Sequence, residues 1–333
     1  MALALGVSLI LALAPPGARY NVTSAADRVE LSDRATETVV SIAPTVGNIA
    51  FSMKVKGHDV LWWMPGQMSG IPFLGPWANR LDEQAFWANG KRYPFDMTLG
   101  NVRGAIPIHG FVTTTDKWRV VSARANGSAA WVTSRLEFFR EPSWMKQWPF
   151  AHAIEVTYRL RNGVLEVATS ITNMSAEPMP IAVGFHPYFQ LTDSPRDDWT
   201  ISVGAKTHWK LAANKVPTGE TEPIEQLFPV PHAAALRDYD LDDVFGDLER
   251  DGRGRASLSV KGKSQRLDVT VGPNYRSAVV WAPKGRPFIC FEPMVGITDA
   301  VNLAQRGIYK ELQSVAPGQT WRESFWITPT GFQ

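Results

Sequence analysis

The sequence predicts an all-β protein, a large antiparallel β-sandwich, and three observations carry that expectation. Polar and apolar residues alternate with period two over several stretches, as a strand with one wet face requires. Asn-Gly pairs stand between such stretches, where a tight hairpin turn needs them. Twenty-six Gly and 24 Pro punctuate the rest, and long helical periodicity is scarce, so short strands at regular spacing are the economical reading.

Taken in order, residues 2–14 are almost wholly apolar and end at Pro15-Pro16-Gly17. That length suits the apolar core of a signal peptide and falls short of the roughly 20 residues a membrane-spanning helix needs. Ala12-Leu13-Ala14 offers a small-x-small cleavage site, although no Lys or Arg precedes the run. The expectation is export to the periplasm or medium with cleavage between Ala14 and Ala26, a cytoplasmic chain being the alternative. Residues 1–25 are therefore set apart as signal peptide and N-terminal extension, and residues 26–333 are read as one catalytic domain. No linker or fixed-period repeat interrupts the latter.

Strands are expected at 39–42 and 49–55, then at 117–124 and 130–138, joined through Asn126-Gly127. The alternating runs 153–161 and 165–172 are joined through Asn162-Gly163, and Asn89-Gly90 marks a third turn. Further strand candidates are 199–203, 258–261, 267–271, 278–281, 288–292 and 321–328. The acidic run from Asp238 to Asp243 reads as a turn-like, solvated loop.

The net charge of +2, from 34 basic and 32 acidic residues, comes without a basic block, which argues against a nucleic-acid partner. No other stretch is long and apolar enough for a transmembrane helix. Thirteen Trp is high for 333 residues and fits either core filling or stacking platforms for sugar rings. Cys290 is the lone cysteine, so no intrachain disulfide is available. Its apolar run Pro287-Phe288-Ile289-Cys290-Phe291 reads as a strand holding a packed, inert thiol. No Gly-rich dinucleotide or phosphate loop and no His pair with metal spacing occurs, so neither cofactor nor metal is expected.

The chemistry-bearing candidates are polar groups in apolar or aromatic surroundings. His186 lies in Phe185-His186-Pro187-Tyr188-Phe189, and a histidine titrates near neutral pH. Glu292 ends an apolar strand, where a carboxylate is costly unless paired or functional; Phe288, Cys290 and Glu292 share a face. Arg80 follows Trp77-Ala78-Asn79 in a Gly/Pro-bounded loop, and its fixed fork of donors suits hydroxyl binding. His109 stands between Ile108 and Gly110-Phe111, and Asp242 belongs to the acidic run.

The order of these segments is informative. Asn79-Arg80, His109-Gly110, His186 beside aromatics, Asp242-x-x-Phe245, then Phe291-Glu292 followed by Asp299-Ala300-Val301-Asn302 resembles the aldose 1-epimerase (galactose mutarotase) family, over roughly residues 35–328. The resemblance implies a large β-sandwich with an open sugar cleft, no metal or cofactor, and interconversion of the α and β anomers of a free aldose. It implies that Glu292 is the general base and His186 the general acid, with Asn79, Arg80, His109 and Asp242 binding and orienting substrate. The chain departs from the family pattern in three places. His109-Gly110-Phe111 replaces His-Gly-Gly, Pro187-Tyr188-Phe189 replaces Ser-Tyr-Trp-Asn, and Pro293 replaces the start of Thr-Gln after the carboxylate. These alter the pocket walls and leave a different sugar or a sugar phosphate open as substrate.

Mutarotation opens a cyclic hemiacetal, which needs one proton removed from the C1 hydroxyl and one delivered to the ring oxygen. A carboxylate and an imidazolium on opposite sides of C1 suffice, so a bell-shaped pH profile is expected. A non-catalytic carbohydrate-binding protein on the same fold is the alternative class. A glycosidase or lyase module would want a second carboxylate, for which Asp242 is the nearest candidate.

Overall fold

The structure, a computed structural model, describes residues 17–98, 102–228 and 234–333. The leader-like run at 2–14 lies outside the described residues. Half of the chain is strand and 8% helix, in line with an all-β sandwich.

The hairpins form where alternation and turn chemistry agree. His152–Arg161 pairs antiparallel with Val164–Asn173. Asn162 and Gly163 both take positive φ, 51° and 73°, as a two-residue turn of this hand requires. Asn89 and Gly90 do the same between Ala85–Ala88 and Lys91–Pro94. The Asn126 turn is built differently. Arg119–Ala125 and Ala130–Glu137 are joined by a longer loop, closed by Asn126 N–H donating to the Ala129 carbonyl at 2.9 Å. The Asn126 side-chain oxygen accepts from the amides of Ser128 and Ala129.

The first and last of these hairpins enter a nine-stranded antiparallel sheet, while Ala85–Ala88 and Lys91–Pro94 form a two-stranded sheet of their own. The last strand of the chain, Thr320–Thr330, sits in its middle, between Val164–Asn173 and Arg266–Val271. A second sheet runs Pro217–Pro223, Ala205–Leu211, Leu241–Leu248, Ser277–Ala282, Ile289–Met294, Gly184–Phe185, Phe73–Leu74, with Tyr188–Phe189 also paired to Ile289–Met294. The two sheets meet through side chains such as Phe185 and Phe325, whose rings lie 5.0 Å apart. Trp77, Trp118, Trp148 and Trp199 are fully buried, so these four fill the core.

Two expectations change. Asp242 and Asp243 belong to the strand Leu241–Leu248 rather than to a solvated loop, because each carboxylate has a cationic partner there. Residues 20–24, set apart with the N-terminal extension, form the strand Tyr20–Ser24, which edges a five-stranded sheet. Tyr20 is buried in the core, and Arg19 pairs with the buried Asp33 carboxylate at 2.8 Å.

Strand Ile289–Met294 positions the site. Ile289 and Phe291 enter the main core, so Cys290 and Glu292 point to the opposite face. Register places Cys290 beside Tyr188 on one side and Trp281 on the other, with Asp242 beyond Trp281. One face of the sheet therefore presents Glu292, Trp281, Tyr188 and Asp242 together.

Candidate active site

Two irregular segments close over that face. The segment carrying Asn79 and Arg80 is bridged to the one carrying His109 and Gly110: Gly75 pairs with Gly110, and Arg80 with Ile108. His109 N–H donates to the Asn79 carbonyl at 2.9 Å, and Asn79 N–H donates back to His109 Nδ1 at 3.2 Å. Asn79 and His109 both take left-handed φ, 57° and 61°, a region that Asn and His tolerate better than most residues. Gly110 has no substitute here: a Cβ would overlap the Gly75 carbonyl.

The result is a cleft of about 200 Å³. All six residues singled out from the sequence line it: Asn79, Arg80, His109, His186, Asp242 and Glu292. At its centre His186 Nε2 and Glu292 Oε1 are 3.2 Å apart, both side chains buried. His186 stacks on Tyr188 with ring centroids 4.7 Å apart, and Trp281 stands edge-on to it. His186 Nδ1 and Glu292 Oε2 have no hydrogen-bond partner among the described residues. A buried polar atom without a partner is costly, and such atoms facing a cleft are candidates for substrate contact.

Arg80 is held by two acceptors. It donates to the Asn79 side-chain oxygen at 2.9 Å and meets the Asp242 carboxylate at 3.4 Å. The Asp242 backbone is fixed from behind. Its N–H donates to Asp243, whose other oxygen meets His208 Nε2 at 2.9 Å, while Glu222 meets His208 Nδ1 at 3.0 Å. The two carboxylates raise the His208 pKa against the opposing effect of burial, which is the largest single influence.

Burial governs protonation in the cleft. It pushes His186 down to about 3, with Arg80 and Arg103 adding to the effect. It pushes Glu292 well above the ordinary carboxylate range; the nearby Asp242 adds to this and Arg80 opposes it. His109 also falls well below its usual value, through burial and then the neighbouring His186. Its Nδ1 accepts from Asn79, which leaves Nε2 to carry the proton of the neutral ring. Burial thus disfavours the charged form of each member of the pair, carboxylate and imidazolium alike, which leaves one proton between them in the neutral pair. Above about pH 3 the pair keeps that proton up to the raised pKa of Glu292.

Sequence reasoning passed over Gln67, Met68, Arg103 and Trp281, which also line the cleft. Gln67, Met68 and Arg103 lie on loops or a two-residue strand without pattern; Trp281 was legible only as a strand residue. No group of three or more His, Cys, Asp or Glu side chains suited to a metal occurs among the described residues.

A β-sandwich whose exposed sheet face carries a polar cleft of this make-up falls in the class of galactose mutarotase-like folds. The chain superimposes on a galactose mutarotase-like protein from Clostridium acetobutylicum with a TM-score of 0.82 and 21% identity, over 94% of this chain and 98% of that one. A galactose 1-epimerase from Lactobacillus acidophilus matches at 0.72 with 15% identity, over 94% and 98%. A putative aldose 1-epimerase from Escherichia coli K12 matches at 0.68 with 18% identity, over 89% and 97%. The family model for aldose 1-epimerase matches residues 27–328, and the chain belongs to that family.

Proposed function

We propose that the protein is an aldose 1-epimerase, an isomerase that interconverts the α and β anomers of an aldose by acid–base ring opening, with no cofactor. The observation that carries this reading is the buried Glu292–His186 pair, 3.2 Å apart, inside a cleft ringed by hydrogen-bond donors and acceptors. Binding alone does not require two proton-transfer groups to be buried side by side.

In the proposed reaction Glu292, as carboxylate, takes the proton from the C1 hydroxyl. His186, as imidazolium, gives its proton to the ring oxygen. The C1–ring oxygen bond breaks as the C1 carbonyl forms. Rotation about C1–C2 presents the other carbonyl face, and ring closure returns both protons. The carboxylate–imidazolium arrangement contains the same single proton as the neutral pair, so substrate entry needs only a shift across the 3.2 Å contact, with no uptake from solvent. Arg80, Asn79, Asp242 and neutral His109 hold hydroxyls, and Tyr188 and Trp281 provide apolar walls.

The test is polarimetry of freshly dissolved α-glucose, α-galactose and other aldoses with purified protein, before and after EDTA and dialysis. Catalysed mutarotation that survives chelation supports the reading. Sugar binding without catalysis of any aldose makes the chain a carbohydrate-binding protein on this fold.

One observation favours a narrower substrate, an aldose bearing an anionic group. Asp242 is engaged by Arg80, whereas Arg103 lines the cleft without an ion-pair partner among the described residues. Under that reading kcat/KM for glucose 6-phosphate or glucuronate exceeds that for glucose by about 10-fold, the scale of one charge-assisted contact. Arg103→Gln then removes the preference, bringing kcat/KM for the anionic sugars to that for glucose. Equal rates for the three sugars with the wild type dismiss the anion and leave a neutral aldose as substrate.

We also propose that the exported chain is cleaved upstream of Arg19, because Tyr20–Ser24 is paired into a sheet. Intact mass of protein from the native host reads the site directly.

A further inference from the structure

The Asp299-Ala300-Val301-Asn302 segment does not line the cleft, yet it contacts the back of the loop that does. Asp299 is buried and takes a left-handed φ of 62° immediately before the short helix Ala300–Gln305. Its N–H donates to the Arg80 carbonyl at 3.0 Å. One of its carboxylate oxygens accepts from Asp82 N–H at 3.1 Å and from the Asn302 side-chain amide at 2.8 Å. The other oxygen meets Arg306 at 2.8 Å, and the same guanidinium reaches the Asp82 carboxylate. Asn302 extends the grip: its amide donates to Asp82 and to the Ala85 carbonyl at 3.0 Å, and its oxygen accepts from Trp87 N–H at 3.1 Å.

Resting on the aldose 1-epimerase reading, we infer that Asp299 is a positioning residue for Arg80, fastening the backbone that leaves it, on both sides of Leu81, so that the guanidinium meets the sugar in one orientation. The geometry is direct. Arg80 O and Asp82 N are the two main-chain groups that flank Leu81, and one residue holds both. On the opposite side, Leu81 N–H donates to the Pro107 carbonyl, so the loop is tied between Asp299 and the His109 segment. From this backbone position Arg80 reaches the Asn79 oxygen at 2.9 Å and Asp242 at 3.4 Å. Without the Asp299 carboxylate one of the ties on this loop is lost, and part of the entropy of ordering Arg80 falls on substrate binding.

This role is separable from a general contribution to folding. The experiment is a double-mutant cycle of Asp299→Ala and Arg80→Ala, read by polarimetry on an aldose the wild type turns over, with thermal unfolding of each variant. Asp299→Ala is expected to raise KM about 10-fold and change kcat by less than about 3-fold, as loss of uniform binding does. In the Arg80→Ala background it adds no further rise in KM, since its effect passes through Arg80. Asp299→Asn, which tolerates the left-handed φ and keeps an acceptor for Asp82 N–H, recovers most of the wild-type KM. An unchanged KM in folded Asp299→Ala overturns the inference, and so does an equal rise with and without Arg80. Should Asp299→Ala not fold, the same cycle is run with Arg306→Gln, whose head group is partly exposed; a KM unaffected there also overturns it. A wild type inactive on every aldose refutes the epimerase reading itself, which is a different result from any of these.

Discussion

Glu292→Gln is expected to lower kcat for mutarotation by at least about 100-fold, and His186→Asn by a similar factor, because a positioned acid or base typically contributes about 10²- to 10⁴-fold. Both substitutions keep shape and polarity and remove proton transfer. The contact between the two groups, at 3.2 Å, makes them one unit. The double variant therefore loses much less than the product of the single losses, as for other residues that serve a single step. The shared proton also sets the pH profile. Activity holds across neutral pH instead of peaking narrowly between ordinary carboxylate and imidazole values, since burial moves His186 down to about 3 and Glu292 upward. Near-wild-type rates in both folded single variants would falsify the assignment.

The second large effect is on stability, and its direction is opposite. A carboxyl whose pKa is raised by folding contributes fully below its unfolded value, near 4.5, and progressively less as pH rises toward the folded value. The cost is about 1.4 kcal/mol per pH unit over that window. His186 works the other way. Its pKa is lowered from 6.5 to about 3, so stability rises with pH between those values and is level above them. His109 acts in the same sense as His186, and Asp299, raised to about 8 chiefly by burial and then by Asp82, acts in the same sense as Glu292. The difference between Glu292→Gln and wild type isolates the one carboxyl. It should be small below pH 4.5 and grow in favour of the variant above it, until the folded pKa is reached. For a chain of this size each kcal/mol is worth roughly 2 °C in Tm. An inactive variant that melts higher than wild type at pH 8 is the expected outcome. A variant that melts lower at every pH would show that Glu292 is stabilising as well as reactive.

Much of the nine-stranded sheet was legible because local signals were consistent. In residues 153–172, alternation fixes the buried face and Asn162-Gly163 supplies two positive φ values, so periodicity and turn point to the same hairpin. The cleft sheet was harder. Phe73–Leu74, Gly184–Phe185 and Tyr188–Phe189 are two residues each, too short for a period; the last two exist because Ile289–Met294 offers a partner edge, and Phe73–Leu74 because Gly184–Phe185 does. Leu241–Leu248 was obscured by its acidic start, which reads as loop until Arg80 and His208 are seen opposite Asp242 and Asp243. The six candidate site residues were found through motif order, and the structure brings them into one cleft. The protonation of the central pair was not legible, because it depends on burial from segments far apart in the chain. Nor was the part played by Asp299, whose contacts reach back more than 200 positions to Asp82.

Cys290 gives the molecule a reporter of its own opening. The thiol is fully buried among Trp62, Tyr188 and Phe288, two positions from Glu292 on the same strand face. Burial raises its pKa well above the usual value, and the neighbouring carboxylate adds to this. Iodoacetamide therefore has no thiolate to reach while the cleft sheet is closed, and alkylation counts the moments when that sheet separates. With one cysteine in the sequence, a single mass increment reads the event without fractionation. A sugar that occupies the cleft should slow the labelling by the factor with which it stabilises the closed state, which makes a chemical clock for ligand affinity that works equally well on catalytically dead variants.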